Sequence, residues 1–95
     1  MNRWVVAYDI PDDRRRTRLA KALEGYGDRV QDSVFEVALP NDNLLERLKY
    51  EVLKEISPAE DLVRLYPLCS SCGEKVLDLG LVARKPFDEP DVVIV

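Results

Sequence analysis

Apolar positions along the chain change their period several times, and each change predicts an element. Trp4-Val5-Val6-Ala7-Tyr8 is a continuous apolar run, which predicts a buried strand over about Arg3 to Asp9. Pro11 then breaks the chain, and Asp12 or Asp13 is placed to cap a helix. Leu19, Ala20 and Leu23 share one stripe of that helix, which is expected to stop at Gly25 or Gly27. Arg16 extends this core-facing stripe toward the helix start, beside the end of the first strand and Asp9. Arg14 and Arg18, four residues apart, share another face.

Residues 29–39 are strongly β, with Phe35, Val37 and Leu39 alternating onto one face. Asp32-Ser33 interrupts the stretch and predicts a kink between two short strands. Asn41 predicts the cap of a second helix with Leu44, Leu45, Leu48, Val52 and Leu53 facing inward, ending before Pro58. Leu62 to Leu68 is the next strand, followed by a turn at Cys69-Ser70-Ser71-Cys72-Gly73 and a further strand over Lys75 to Gly80. The last stretch ends in Asp91-Val92-Val93-Ile94-Val95, which has little left in its own chain to pair with. It is expected to add to the sheet of a symmetry partner.

The order β-α-β-β-α-β with extra C-terminal strands predicts an α+β, ferredoxin-like plan with helices on one face of an antiparallel sheet. Residues 1–80 are expected to form this domain, and residues 81–95 a tail and strand that pack on the partner subunit of a homodimer. Ninety-five residues suit one domain with a modest core, which self-association would reinforce. No apolar run approaches the roughly 20 residues of a membrane span, and the first residues lack a signal-peptide core. A cytoplasmic protein without a membrane partner is therefore expected.

Charge changes the picture only locally. The net charge is −4, yet residues 1–30 carry seven Lys/Arg against five Asp/Glu, and residues 31–95 seven against thirteen. A positive patch on an acidic body would draw a phosphate-bearing ligand to one place. The chain has no histidine, which removes the usual general base and the commonest zinc ligand. Chemistry must then run through carboxylates, a metal ion, Lys/Arg or Tyr.

Asp9, emerging from a strand opposite an arginine-rich helix start, suits holding Mg²⁺ against a phosphate. A capped turn with solvated arginines is the simpler account of the same residues. One Asp per chain is a poor Mg²⁺ site, but two Asp9 side chains could face each other across a dimer axis. Asp12 and Asp13 are rival ligands that capping also explains. Cys69 and Cys72 make one C-x-x-C, half of a zinc site, and are read as a turn with two reduced or loosely paired thiols. Phe35 is expected in the core, and Tyr8 could make a dimer contact.

Tyr8-Asp9-Ile10-Pro11-Asp12-Asp13, the arginine-rich helix start, Arg29-Val30-Gln31-Asp32-Ser33-Val34-Phe35-Glu36 and Arg64-Leu65-Tyr66-Pro67-Leu68 closely resemble the Cas-two family, the smaller universal adaptation protein of CRISPR systems. The resemblance spans nearly the whole chain. It implies a ferredoxin-like homodimer with an exchanged C-terminal strand, acting beside the adaptation integrase in spacer acquisition. Some members are described as Mg²⁺-dependent endonucleases on RNA or DNA. The family's metal-binding and catalytic aspartate falls on Asp9, preceded by its tyrosine, Tyr8. Its helix arginines fall on Arg16 and Arg18, and its second motif on Arg29, Ser33 and Phe35, residues that would bind nucleic acid or support the site. Asp32 departs from the aromatic that members commonly carry, which weakens nucleic-acid contact there. Two readings stay open: a metal-dependent nuclease, and a non-catalytic scaffold dimer that supports nucleic acid through phosphate contacts, the latter preferred for the biological role.

Overall fold

A computed structural model describes residues 2–80 of the chain. The elements run β1 (Asn2–Asp9), α1 (Asp13–Glu24), β2 (Gly27–Gln31), β3 (Val34–Leu39), α2 (Asp42–Glu55), β4 (Leu62–Leu68) and α3 (Ser70–Gly73). The strands form one four-stranded sheet in the order β2-β3-β1-β4, with every neighbouring pair antiparallel. This is the ferredoxin-like βαββαβ plan expected from the sequence.

Period-two patterning sets the two faces of the sheet. Val6 and Tyr8 of β1 join Phe35, Val37 and Leu39 of β3 in one core with Leu19, Ala20 and Leu23 of α1 and Leu48 and Val52 of α2. Register follows from this pattern: Val6 lies opposite Phe35 and Leu65, and Asp9 opposite Leu62. The helices begin at the residues that could cap them. The Asp12 side chain accepts the Arg15 amide, and that of Asn41 accepts the Leu44 amide. Gly25, not Gly27, closes α1. Gly27 has another duty: a Cβ there would lie 2.0 Å from the Glu36 carbonyl oxygen, so only glycine lets β2 approach β3. The interruption at Asp32-Ser33 separates β2 from β3, and the register shifts between Arg29 and Gln31.

Three expectations need correction. Leu53 does not face inward but is 62% exposed, because the buried stripe of α2 follows Leu48 and Val52 and a residue one step past Val52 turns away from it. Lys75 to Gly80 forms no strand. Leu77 and Leu79 project into solvent there, with no described strand edge alongside to supply hydrogen bonds. Cys69 to Gly73 is more than a turn, since Cys69 caps the short α3. The C-terminal strand over Asp91 to Val95 lies outside the described residues. Among the described residues, no helix is long and apolar enough to cross a membrane.

Among the described residues, no helix covers the sheet face turned away from α1 and α2. β4 alternates so that Val63 and Leu65 pack toward the core, while Leu62, Arg64 and Tyr66 are exposed. At the other end of β1, Trp4 packs against the core with its buried Nε1 finding no hydrogen-bond partner among the described residues.

These contacts predict an order of sensitivities in urea denaturation. Leu48→Ala should cost about 2–5 kcal/mol through the cavity it leaves, and Gly27→Ala about 1–3 kcal/mol through overpacking against β3. Leu53→Gln should stay within roughly 0.5 kcal/mol of the parent.

Candidate nucleic-acid and metal site

The C-terminal end of β1 opens into a cleft of about 450 Å³ lined by Tyr8, Asp9, Ile10, Arg16, Thr17, Arg29, Asp32 and Ser33. Three parts of the chain build it. β1 delivers Asp9, the first turns of α1 deliver Arg16 and Thr17, and β2 with its connection to β3 delivers Arg29, Asp32 and Ser33. Asp9 is exposed at the mouth. Arg16 is held over the β1–α1 turn: its Nη1 donates to the Ile10 carbonyl at 2.9 Å, and its Nη2 pairs with Asp13. It thereby lies where the sequence put it, beside Asp9 at the start of α1.

Tyr8 has a structural part in the cleft. Its ring is buried, 6.4 Å from that of Phe35, and its hydroxyl donates to the Asp32 carbonyl at 3.1 Å. Its amide donates to the Ser33 carbonyl at 3.0 Å. Tyr8 therefore ties the hairpin connection to β1 within one protomer, and its expected role as a dimer contact gives way to a core role. Phe35 is fully buried, as expected, with the Arg29 guanidinium 5.4 Å from its ring centroid.

Arg18 is not brought to the cleft. Its Nε donates to Glu55 at the end of α2, 3.2 Å away. Four residues after Arg14, it sits on the outer side of α1 and joins the two helices instead. Asp12 and Asp13, the rival ligands, are engaged elsewhere, Asp12 as the helix cap and Asp13 with Arg16. The Arg15 amide donating to Asp12 holds the Asp12 carboxyl below its usual range.

The residues lining the cleft therefore include two carboxylates, two guanidinium groups and three hydroxyls, those of Tyr8, Thr17 and Ser33. The donor set is all oxygen, the kind that suits Mg²⁺, which takes one or two carboxylates and fills the rest with water and phosphate oxygens. Asp32, read from the sequence only as an intrusive acid, supplies the second carboxylate. Among the described residues, no cluster of three or more His, Cys, Asp or Glu side chains forms a denser metal site.

Comparison with known proteins places this architecture. The family model for CRISPR associated protein Cas2 matches residues 1–76. The chain belongs to the Cas2 family. A Synechocystis relative named CRISPR-associated endoribonuclease Cas2 2 is 50% identical over 94 residues, covering 99% of each chain. Streptococcus pyogenes Cas2, solved as a crystal structure, superposes with a TM-score of 0.72 at 29% identity, covering 82% of this chain and 99% of the other. A chain of a solved partial Cas6-RT-Cas1–Cas2 complex superposes equally well, with a TM-score of 0.72 at 31% identity over 82% of this chain and 90% of its own length.

One structural pair in this Cas2 chain was not foreseen. Arg15 grips the buried Asp61 with two bonds, Nε to Oδ2 at 2.7 Å and Nη2 to Oδ1 at 3.1 Å. The Ser57 amide adds a third bond to Asp61 Oδ2 at 2.7 Å. The pair ties the start of α1, and hence one wall of the cleft, to the segment that leads into β4. The only sequence signal was an acid immediately before a strand, which is too common to single out.

Hydrogen bonding from Arg15, then from Ser57, holds the Asp61 carboxyl below its ordinary value of 3.8. A depressed carboxylate stabilises the fold fully above that ordinary value, and the contribution is lost as pH falls through the lowered one. Urea midpoints measured from pH 6 downward should therefore drop in the parent as Asp61 is titrated. Asp61→Asn should start less stable at pH 6 and show a shallower acid limb.

Proposed function

We propose that this Cas2 chain works as a homodimer beside a Cas1-type integrase in CRISPR spacer acquisition, binding nucleic acid through its phosphate backbone. The cleft at the end of β1 carries the proposal, because it gathers Asp9, Arg16 and Arg29 from three separate elements. Guanidinium groups suit phosphate oxygens, and contacts of this kind carry no base sequence. The Cas1 partner is inferred from the complex in which a structural relative was solved. The RNA-cleaving name of the Synechocystis relative supports a nuclease capacity on the same site.

In that reading Asp9 holds Mg²⁺, and Asp32, which lines the same cleft, is the candidate for a further oxygen. Bound there, the ion would polarise the phosphoryl oxygen and offset its developing charge. Arg16 and Arg29 hold the phosphate backbone, and Tyr8 fixes the hairpin wall against which the ligand rests. The bond from Arg16 to the Ile10 carbonyl pre-sets the guanidinium, so less motion must be frozen on binding.

Apolar side chains exposed on the outer sheet face, among the described residues, support dimerisation. Leu62 and Tyr66 are about half exposed on the same side of β4, and burial of such a face is what association supplies. Asp9 lies at the end of β1 beside Leu62, so pairing through this face would bring the two Asp9 carboxylates toward each other.

A non-catalytic scaffold is the second reading, favoured by the absence of histidine, the usual general base, from the chain. Asp9→Asn separates the two readings. Loss of Mg²⁺-dependent cleavage with acquisition retained assigns the biological role to the scaffold. Loss of both, in a variant that remains dimeric, assigns it to the metal site. Sedimentation should give a dimer for the parent, and Leu62→Asp should shift it to monomer with its circular dichroism unchanged.

A further inference from the structure

The exit from β4 holds chemistry that the proposed function leaves unused. Cys69 is the N-cap of α3, and its Sγ accepts the Cys72 amide at 3.4 Å. The Ser71 Oγ stands 3.4 Å from the same sulfur. Both cysteines are exposed and neither is in a disulfide. The N-cap and third helical residue lie about one turn apart, a Cα spacing within the roughly 4.4–6.8 Å that a disulfide spans.

The two thiols are not equivalent. Hydrogen bonds from Ser71, then from the Cys72 thiol and amide, lower Cys69 to about 7, whereas the Cys69 sulfur beside it pushes Cys72 up. One sulfur is thus available as thiolate near neutral pH, and its neighbour is held as the thiol that follows. A zinc site would need more ligands, and no cluster of three metal-binding side chains occurs among the described residues.

We propose that Cys69 and Cys72 form a reversible dithiol–disulfide couple that exchanges with small-molecule disulfides of the glutathione type. The Cys69 thiolate attacks one sulfur of the disulfide, whose S–S bond breaks and releases the first glutathione as a thiolate that takes up a proton. Cys72 loses its proton to solvent and attacks the Cys69 sulfur, and the second glutathione leaves in the same way. Two protein thiols are oxidised to one disulfide, and one glutathione disulfide is reduced to two thiols. Closure stiffens the turn by which the chain leaves the sheet, where Gly73 packs so near Arg3 that an added Cβ would lie 3.3 Å from its Nη1.

The test equilibrates the full-length protein in glutathione redox buffers and counts free thiols by maleimide mass shift. The parent should lose two alkylatable thiols together, without cross-linking between chains. Cys72→Ser should accumulate a single glutathione adduct at Cys69. Cys69→Ser should form its adduct roughly tenfold more slowly at pH 7, since thiolate fraction sets the rate. The alkylation rate of Cys69 in Cys72→Ser should rise with pH through a midpoint below that of Cys72 in Cys69→Ser. Circular dichroism confirms that both variants are folded. Disulfides that form only between chains, or equal adduct rates in the two variants, would overturn the proposal. So would a parent that keeps both thiols in fully oxidised buffer, a result that needs no variant.

Discussion

The chain has only Ile10, Pro11 and Asp12 in which to leave the sheet and enter the first helix, and the contacts that hold this turn position the rest of the site. Proline removes an amide that would otherwise need a partner, and Asp12 satisfies the Arg15 amide. Arg16 reaches back to the Ile10 carbonyl, so the turn is clamped from the helix side. Arg15 points to the other side and anchors the same turn to Asp61. Adjacent arginines thus serve different walls, one facing the cleft and one facing the entry to β4. Lysine could replace neither with full effect, since the bidentate grip on Asp61 depends on a planar fork.

Electrostatics in the cleft are balanced rather than strongly positive. Arg16 is partly engaged by Asp13, and Arg29 lies over an aromatic ring, so neither presents an isolated charge to solvent. With Asp9 and Asp32 lining the same cleft, the field at the mouth stays modest, in keeping with a protein of net charge −4. A cation placed between the acids would change that balance and favour a phosphate between it and the arginines. Under the proposed function, affinity for nucleic acid would be sensitive to salt, because the attraction would rest on a few partly exposed charges.

Much of the fold was legible because its elements carry strong local signals. Alternation at Phe35, Val37 and Leu39, the stripe of Leu19 and Leu23, and caps at Asp12 and Asn41 each state a period or a terminus. Leu53 misled because a helix stripe has soft edges, and an apolar residue at its margin reads the same whether it faces in or out. Lys75 to Gly80 misled because alternating apolar residues state a preference for extended backbone, not the presence of an edge to pair with. At the site, Asp9 and Arg16 were legible from adjacent elements in sequence. The Arg15–Asp61 bond, 46 residues apart, was not, since nothing local to either residue encodes the other. The family resemblance supplied Arg29 and Ser33, which spacing alone did not connect to Asp9.

Trp4 gives the molecule an internal optical probe. It is the sole tryptophan, set in the sheet with its indole nitrogen shielded from water and unbonded among the described residues. An indole in such surroundings emits toward the blue, and it would shift to the red once solvent reached the nitrogen. The residue lies across from Pro67, so its emission reports whether the outer ribbon of the sheet stays zipped to its neighbour, separately from events at the opposite end where Asp9 sits.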